Sequence, residues 1–213
     1  MSLRGVDNGG GCRRVVGMIK RVAFLFLVLM PCALLAGDLP VLQAKVGTPV
    51  LQELMGGCSL KCAFPWEVDV VPSATPNDKN GHPVYATNDD DATSAWVDDG
   101  ATSIGTKLIF RFPKKLPKEL EQTPFYGFDI ANGYTKSETI WKSYARIKKA
   151  KLSYNGRALY TIDFPDTRRW QQVSFDDIMI KHGDSMTLEI LEVYPGTKSQ
   201  QVAVTELVLQ GAH

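Results

Sequence analysis

The chain has 213 residues, which is enough for one domain with extensions or for two small ones. It carries 24 basic and 23 acidic residues, so its formal net charge is +1. When residues 1–36 are set aside, 19 basic and 22 acidic residues remain and the net charge is −3. That balance argues against nucleic acid as the main partner, because nucleic-acid-binding domains are usually clearly basic.

Residues 1–36 have the pattern of a secretory signal peptide. Basic residues at positions 13, 14, 20 and 21 precede an apolar run over residues 22–35, and small residues follow at Ala36 and Gly37. The apolar run is shorter than the roughly 20 residues that a membrane-spanning helix needs. We therefore expect export to the periplasm, the cell envelope or the medium, with no membrane span after cleavage. An uncleaved membrane anchor is the alternative.

The rest of the chain contains two cysteines, Cys58 and Cys62. In an oxidising compartment a close pair of this kind forms a small disulfide loop. Half of a zinc site is the alternative, although two further ligands with suitable spacing are not evident in the sequence.

Short strand patterns recur along the chain in a regular order. Residues 37–57 mix glycine and proline with short apolar pieces and are predicted to be a linker, while residues 58–213 are predicted to form one domain. The strand candidates are residues 66–71, 106–112, 125–130, 146–154, 158–164, 169–175, 178–180, 186–194 and 201–210. About eight short strands separated by turn residues predict an all-β antiparallel sandwich or jelly roll.

Two of these candidates carry sharper local signals. Asn155-Gly156 between residues 146–154 and 158–164 predicts a tight β-hairpin. The apolar phase slips within residues 186–194, and a β-bulge would absorb that slip. Residues 114–122 could form one or two helical turns.

Residues 88–105 form a turn-rich segment that holds three consecutive aspartates, a threonine and a serine directly before Trp96. Oxygen-only side chains at this density suit a hard cation such as calcium, which takes six to eight oxygen ligands. A solvated turn capped by its own aspartates is the alternative. Trp96 serves either as a loop anchor in the core or as a surface on which a ligand stacks.

Several short motifs carry a resemblance to a known family. The segment 89–96 resembles the Asp-Gly-Asp/Asn-x-x-Thr-x-Trp loop of galactose-binding-like jelly rolls, which include the discoidin, or coagulation factor 5/8 type C, domains. The chain is more similar still to the secreted bacterial type named from the translocation domain of NAD glycohydrolase toxins. This closer resemblance rests on Cys-x-x-x-Cys at 58–62, Ala-Trp-Val at 95–97 with Ser-Ile-Gly at 103–105, Asn-Gly-Tyr-x-Lys-Ser at 132–137 and Arg-x-Lys-Lys at 146–149.

The resemblance covers about residues 58–211 and implies a non-catalytic binding module, commonly for carbohydrate, with a structural calcium in many members. It implies Asp89 and Ser94 as side-chain ligands of that calcium, Asp91 chiefly through its carbonyl, and Glu206 as the acidic residue that completes the site. The chain departs from the family pattern at a few positions. These are Asp90 in place of the loop glycine, Ser94 for threonine, Ser103 for a usual glycine and Leu60 for an aromatic residue.

Loops at one end of a sandwich are the expected place for a ligand surface. Aromatic faces stack on sugar rings, and Asn, Lys and Arg hydrogen-bond sugar hydroxyls. The candidate ligand-binding residues are Asn132, Tyr134, Lys136, Trp141 and Arg146, together with Trp96. The alternative for Trp141 is packing under its own loop. The alternative for Arg146 and its neighbouring lysines is a solvated strand face that guards a sheet edge.

Motifs of common enzymes are missing from the sequence. It contains no Gly-x-Ser-x-Gly elbow, no His-Glu-x-x-His and no phosphate-cradling glycine loop. Acidic pairs such as Asp176-Asp177, or Asp163 with Asp166, could serve a glycosidase, but such pairs are common in turns. The sequence therefore predicts a non-catalytic module that binds a glycan, with a protein-binding or cell-envelope scaffold module as the alternative.

Overall fold

A computed structural model describes residues 38–50, 67–71, 82, 84–112 and 122–211, and for residues 67–71 it describes the backbone alone. The described residues all belong to one compact unit, Asp38–His213. Within this part of the chain, no helix has the length and apolarity needed to cross a bilayer.

The described residues form eleven strands, one short α-helix and one 3₁₀ helix. The strands are β1 (Val41–Gln43), β2 (Lys45–Pro49), β3 (Glu67–Val71), β4 (Trp96–Val97), β5 (Lys107–Arg111), β6 (Gln122–Asn132), β7 (Arg146–Tyr154), β8 (Arg157–Asp163), β9 (Arg169–Lys181), β10 (Ser185–Tyr194) and β11 (Ala203–Gly211). The α-helix α1 is Glu138–Ser143, and the 3₁₀ helix is Val84–Thr87.

The strands form two sheets. The six-stranded sheet has the order β1-β8-β7-β10-β5-β3, and the five-stranded sheet has the order β2-β9-β6-β11-β4. Each neighbouring pair is antiparallel except β1 and β8, which are parallel. The predicted all-β, antiparallel class is confirmed. The structure has more strands than the sequence predicted, because β1 and β4 have only three and two residues and β2 lies in a segment without a clear apolar alternation.

The core lies on the inner faces of the sheets, where the two-residue period of each strand places its apolar side chains. Leu108 and Phe110 of β5 are buried, whereas Lys107 and Arg111 are exposed. The same cluster contains Phe128 and other buried residues from both sheets. Burying apolar surface contributes about 25 cal/mol per Å², so this cluster is the main source of the fold's stability.

The predicted hairpin and bulge are both present. Asn155 and Gly156 join β7 to β8 with φ angles of 47° and 80°. Two consecutive positive φ values are the geometry that favours Asn-Gly in two-residue hairpins. In β10, the register with β7 shifts between Ile190 and Glu192, where the apolar phase of the sequence slips.

Two boundaries differ from the sequence prediction. Residues 41–49, predicted as part of a linker, form β1 and β2, which pair with β8 and β9 at the edges of the two sheets. Their short apolar pieces are hard to recognise because each strand has only one paired neighbour. Residues 169–175 and 178–180, predicted as separate strands, form one long strand, β9. Of the helical turns predicted at residues 114–122, Gln122 instead begins β6. Residues 114–121, Cys58 and Cys62 lie outside the described residues.

The lysines of β7 do not guard a sheet edge. Strand β7 lies between β8 and β10, so the edge interpretation is wrong for these residues. Instead, the lysines form ion pairs across the strands. The Nζ atoms of Lys148 and Lys151 lie 2.7 Å from Glu192 Oε2 and 2.8 Å from Glu189 Oε2. Exposed pairs of this kind are each worth about 0–1 kcal/mol, and they fix the register of the polar face.

Asp129 provides a pH-dependent test of the fold. It is buried on β6, where Gln210 Nε2 donates a 2.8 Å hydrogen bond to its Oδ2, and burial raises the pKa of its carboxyl. A raised pKa in the folded state means that stability is lost as pH rises through that pKa. We expect Asp129→Asn to raise the free energy of unfolding at pH 7, with the difference shrinking as pH falls below the carboxyl's pKa. Urea unfolding across pH 3–8 measures this.

The matched control is Asp176→Asn. Asp176 is exposed on β9, so this substitution removes the same charge from a side chain that is not buried. A wild type that gains stability over Asp129→Asn as pH rises would contradict the assignment.

Candidate functional site

The acidic loop folds onto its own side chains. Asp89 accepts a hydrogen bond from the Asp91 amide at 3.0 Å and another from the Ser94 hydroxyl at 2.7 Å. Asp91 Oδ1 accepts from the Thr93 amide at 2.8 Å and from the Thr93 hydroxyl at 2.7 Å. These contacts satisfy the turn locally, so the loop shape follows from its own sequence.

Asp90 occupies the position where the family loop has glycine. Its φ of 61° lies in the left-handed region that favours glycine. Aspartate is among the few other residues that adopt this region with tolerable strain. The substitution at this position therefore preserves the turn rather than reshaping it.

A cavity of about 240 Å³ lies between this loop and the 3₁₀ helix. We call it the acidic-loop pocket. The residues that line it include His82, Tyr85, Asp89, Asp91, Ser94 and Tyr134. The rings of His82 and Tyr134 have centroids 5.5 Å apart, and Tyr144, which does not line the pocket, packs against Tyr134 with centroids 5.8 Å apart. Tyr85 is 68% exposed, which is unusual for a large aromatic side chain.

Tyr134 is held in place by the turn that follows β6. Gly133 has a φ of 97°, and a Cβ there would lie 2.6 Å from the Trp141 ring. The Thr205 hydroxyl of β11 donates to the Gly133 carbonyl at 2.8 Å and accepts from the Thr135 amide at 2.9 Å. The Tyr134 hydroxyl then donates to the Thr93 carbonyl at 3.3 Å. The Asn-Gly-Tyr turn thus ties the pocket's aromatic wall to the acidic loop.

The pocket is acidic. Hydrogen bonds from Thr93, with a smaller contribution from the charge of Lys136, hold the pKa of Asp91 below its usual value. Burial, together with Tyr144 and the Asp91 charge, raises the pKa of Tyr134. At neutral pH the pocket therefore presents the ionised Asp91 carboxylate beside the neutral Tyr134 phenol.

The other predicted ligand residues lie elsewhere. Trp96 is 4% exposed and belongs to the hydrophobic core. The Asn132 side chain is buried, donating to the Ile147 carbonyl at 2.7 Å and accepting from the Ile147 amide at 2.9 Å. Lys136 is exposed beside the acidic loop and does not line the pocket. Of the six residues, the structure brings only Tyr134 to the pocket.

Trp141 and Arg146 pack against each other instead of facing solvent. Trp141 is 8% exposed, its Nε1 donates to the Asn132 carbonyl at 2.9 Å, and the Arg146 guanidinium lies 4.6 Å from its ring centroid. The ring face predicted to stack on a sugar is occupied by Arg146. The polar residues around Trp141 form α1, whose N-cap is Ser137.

Arg146 joins separate segments of the chain. Its Nε and Nη2 donate to Asp166 at 3.0 and 2.8 Å, and its Nη1 donates to the carbonyls of Tyr144 and Pro195 at 2.9 and 3.2 Å. The interpretation of Arg146 as part of a solvated strand face is wrong, because its side chain is buried within this network. A planar guanidinium is suited to a two-pronged contact with a carboxylate.

The oxygen atoms that the family resemblance assigns to calcium lie close together in the loop. Ser94 Oγ is 2.7 Å from Asp89 Oδ2 and 3.3 Å from the Asp91 carbonyl oxygen. Glu206 is buried in β11 and does not line the pocket. Among the described residues, no group of three or more His, Cys, Asp or Glu side chains is arranged to hold a metal ion. The loop oxygens fit a hard cation in type, and calcium binding stays a prediction.

The sequence analysis missed His82 and Tyr85 as pocket residues. His82 stands between Asn80-Gly81 and Pro83 in the sequence, and Tyr85 lies in a single 3₁₀ turn, so neither shows a repeating pattern that would indicate a position at the pocket. It also missed α1, although a local signal was present. Ser137 accepts from the Ile140 amide as an N-cap, and Lys142 pairs with Glu138 one turn earlier.

Comparison with known proteins places the chain in a family. The family model described as NAD glycohydrolase translocation F5/8 type C domain matches residues 65–210. The chain belongs to this family, which is defined by a translocation domain and not by a catalytic one. No curated protein matches the chain.

Solved structures show a shared fold. A chain with the CBM32-1, CBM32-2 and M60 catalytic domains of Clostridium perfringens ZmpB has 8% identity and a TM-score of 0.51, over 83% of this chain and 17% of that one. The family 32 CBM from C. perfringens NanJ, solved with galactose, has 11% identity and a TM-score of 0.46, over 68% and 92%.

The Streptococcus pyogenes NAD+-glycohydrolase translocation domain has 24% identity and a TM-score of 0.34, over 51% of this chain and 88% of that one. This chain spans about two fifths or less of the three ZmpB chains that it matches. At 8% identity, the likeness to the ZmpB chain with a TM-score of 0.51 concerns the fold alone.

Removing the Arg146 guanidinium should destabilise the protein strongly. We expect Arg146→Ala to lower the free energy of unfolding by about 2–4 kcal/mol, because it removes four hydrogen bonds of a buried charged group, two of them to the Asp166 carboxylate and two to the carbonyls of Tyr144 and Pro195. Arg146→Lys should recover little of the lost unfolding free energy, since an ammonium cannot reproduce the two-pronged contact with Asp166. Urea unfolding at pH 7 measures both variants.

Lys148→Ala on the same strand is the control and should cost at most about 1 kcal/mol, because its ion pair is exposed. Equal losses of unfolding free energy for Arg146→Ala and Lys148→Ala would show that the buried network contributes no more to stability than an exposed ion pair.

Proposed function

We propose that this protein is an exported, non-catalytic module that binds a carbohydrate in the acidic-loop pocket. The observation that carries the proposal is the combination, in one small cavity, of aromatic walls and carboxylate acceptors. Clefts for drug-sized ligands are about 300–1,000 Å³. A cavity of about 240 Å³ therefore suits a single sugar ring better than a long chain.

The pocket's chemistry matches what a sugar ring offers. The C–H faces of a sugar pack against aromatic rings, and Tyr85 and Tyr134 provide such surfaces. Sugar hydroxyls donate hydrogen bonds, and the carboxylates of Asp89 and Asp91 accept them. The loop is held by its own hydrogen bonds and by Tyr134, so little ordering is needed when a ligand binds.

Docking onto a protein during translocation is the second candidate function, and the family to which the chain belongs favours it. The same exposed tyrosine could anchor a protein partner, since tyrosine is enriched at interfaces. In both cases the sandwich holds loops in place and performs no chemistry.

Glycan binding should depend on Tyr85. On a glycan array we expect selective binding by the wild type and a loss of about tenfold in affinity for Tyr85→Ala, because one stacking surface is removed. Tyr85 is mostly exposed, so the substitution should leave the fold intact. Tyr126→Ala is the control, since Tyr126 is also exposed but lies on β6 outside the pocket. A folded wild-type protein that binds no glycan would overturn the carbohydrate proposal and favour protein docking.

We propose in addition that calcium binds at the acidic loop through Asp89, Ser94 and the Asp91 carbonyl. A ligand that binds only the folded state stabilises it, by about 2.7 kcal/mol at a hundred times its Kd. Millimolar calcium should therefore raise the Tm of the wild type, and Asp89→Asn should abolish the rise, whereas Asp176→Asn should keep it. Equal Tm values for the wild type in calcium and in chelator would count against a calcium site.

A further inference from the structure

The lining of the acidic-loop pocket has an unbalanced charge. Two of its side chains are carboxylates, Asp89 and Asp91, and none of the described residues that line it is a lysine or arginine. Lys136 lies near Asp91 but outside the lining. A ligand that enters the pocket therefore meets a negative potential at short range.

Asp91 has an oxygen available for a ligand. Its Oδ1 accepts both hydrogen bonds from Thr93, at 2.8 and 2.7 Å. Among the described residues, none donates a hydrogen bond to its Oδ2, and the side chain is exposed at the pocket. The Thr93 bonds also orient the carboxylate, so Oδ2 is held in a defined direction.

The aromatic wall faces the same space. The Tyr134 ring is fixed through its hydroxyl to the Thr93 carbonyl, and Tyr85 is exposed at the lining. The faces of aromatic rings carry negative electrostatic potential and attract ammonium groups. Carboxylate oxygens and aromatic faces in one small pocket form a combination that recognises a cation carrying N–H donors.

We propose that the acidic-loop pocket selects a sugar with a free amino group over the same sugar with a neutral or acidic substituent. This inference rests on the proposed carbohydrate function and names the class of sugar. An N-acetyl group removes the positive charge, and a carboxylated sugar is repelled by Asp89 and Asp91. The Asp91 Oδ2 accepts from the ammonium, and Tyr85 and Tyr134 line the same pocket.

Calorimetric titration of the full chain tests this with matched ligands. The probes are the methyl glycosides of glucosamine and galactosamine, each beside its N-acetylated counterpart, in buffer without added calcium. We expect the amine to bind about fivefold more tightly, the size of an exposed ion pair, and the preference to weaken with added salt.

Asp91→Asn should remove the preference, so that the amine and its N-acetylated counterpart bind this variant with equal affinity, whatever the substitution does to the affinity for both sugars. Asparagine keeps the Oδ1 acceptor for Thr93, loses the charge and replaces the Oδ2 acceptor with an N–H donor that cannot accept from an ammonium. The matched control is Asp90→Asn, one residue away and outside the pocket lining, where asparagine tolerates the positive φ. This control should retain the preference.

Equal or tighter binding of the N-acetylated sugars would overturn the amine inference and leave the carbohydrate proposal standing. A preference that survives in Asp91→Asn, or that is lost equally in Asp90→Asn, would also overturn it, because general surface charge would then explain the effect. Absence of binding to all four glycosides and to every glycan on the array would overturn both proposals.

Discussion

The buried guanidinium of Arg146 links four segments of the chain, and the aromatic wall of the pocket depends on it. It pairs with Asp166 after β8, bonds to Pro195 after β10, and stacks on Trp141 of α1. It also bonds to the carbonyl of Tyr144, whose ring packs against Tyr134. Without this side chain, the carbonyls of Tyr144 and Pro195 and the Asp166 carboxylate would all lose a hydrogen-bond donor.

Local contacts set the conformation of the acidic loop, and distant contacts set its position in the pocket. The conformation of the acidic loop is set by hydrogen bonds between residues no more than five positions apart. Its position on the sandwich is set by Tyr134, which the Gly133 turn and Thr205 of β11 hold. A rigid frame with a preformed loop is the arrangement expected of a binding module, because little conformational entropy is lost when a ligand binds.

Two of the departures from the family pattern, Asp90 and Ser103, have physical explanations in the fold. Asp90 keeps the positive φ that a glycine would adopt. Ser103, in place of a usual glycine, is buried and accepts a 2.8 Å hydrogen bond from the Val202 amide. Both substitutions preserve the local geometry with a different side chain, and the second adds a link between the loop before β5 and the chain that leads into β11.

The sequence by itself determined the class of fold and the shape of its local turns. Alternation in β5, Asn155-Gly156 in the hairpin and the aspartates of the acidic loop all act through neighbours within a few residues, and such effects are visible in a sequence. Tertiary structure alone decided which side chains face the pocket. Arg146 meets partners 20 and 49 residues away, and Tyr134 meets Thr93 across 41 residues. Whether a tryptophan or arginine in a polar stretch is exposed depends on what packs over it, and those covering residues are distant in the chain.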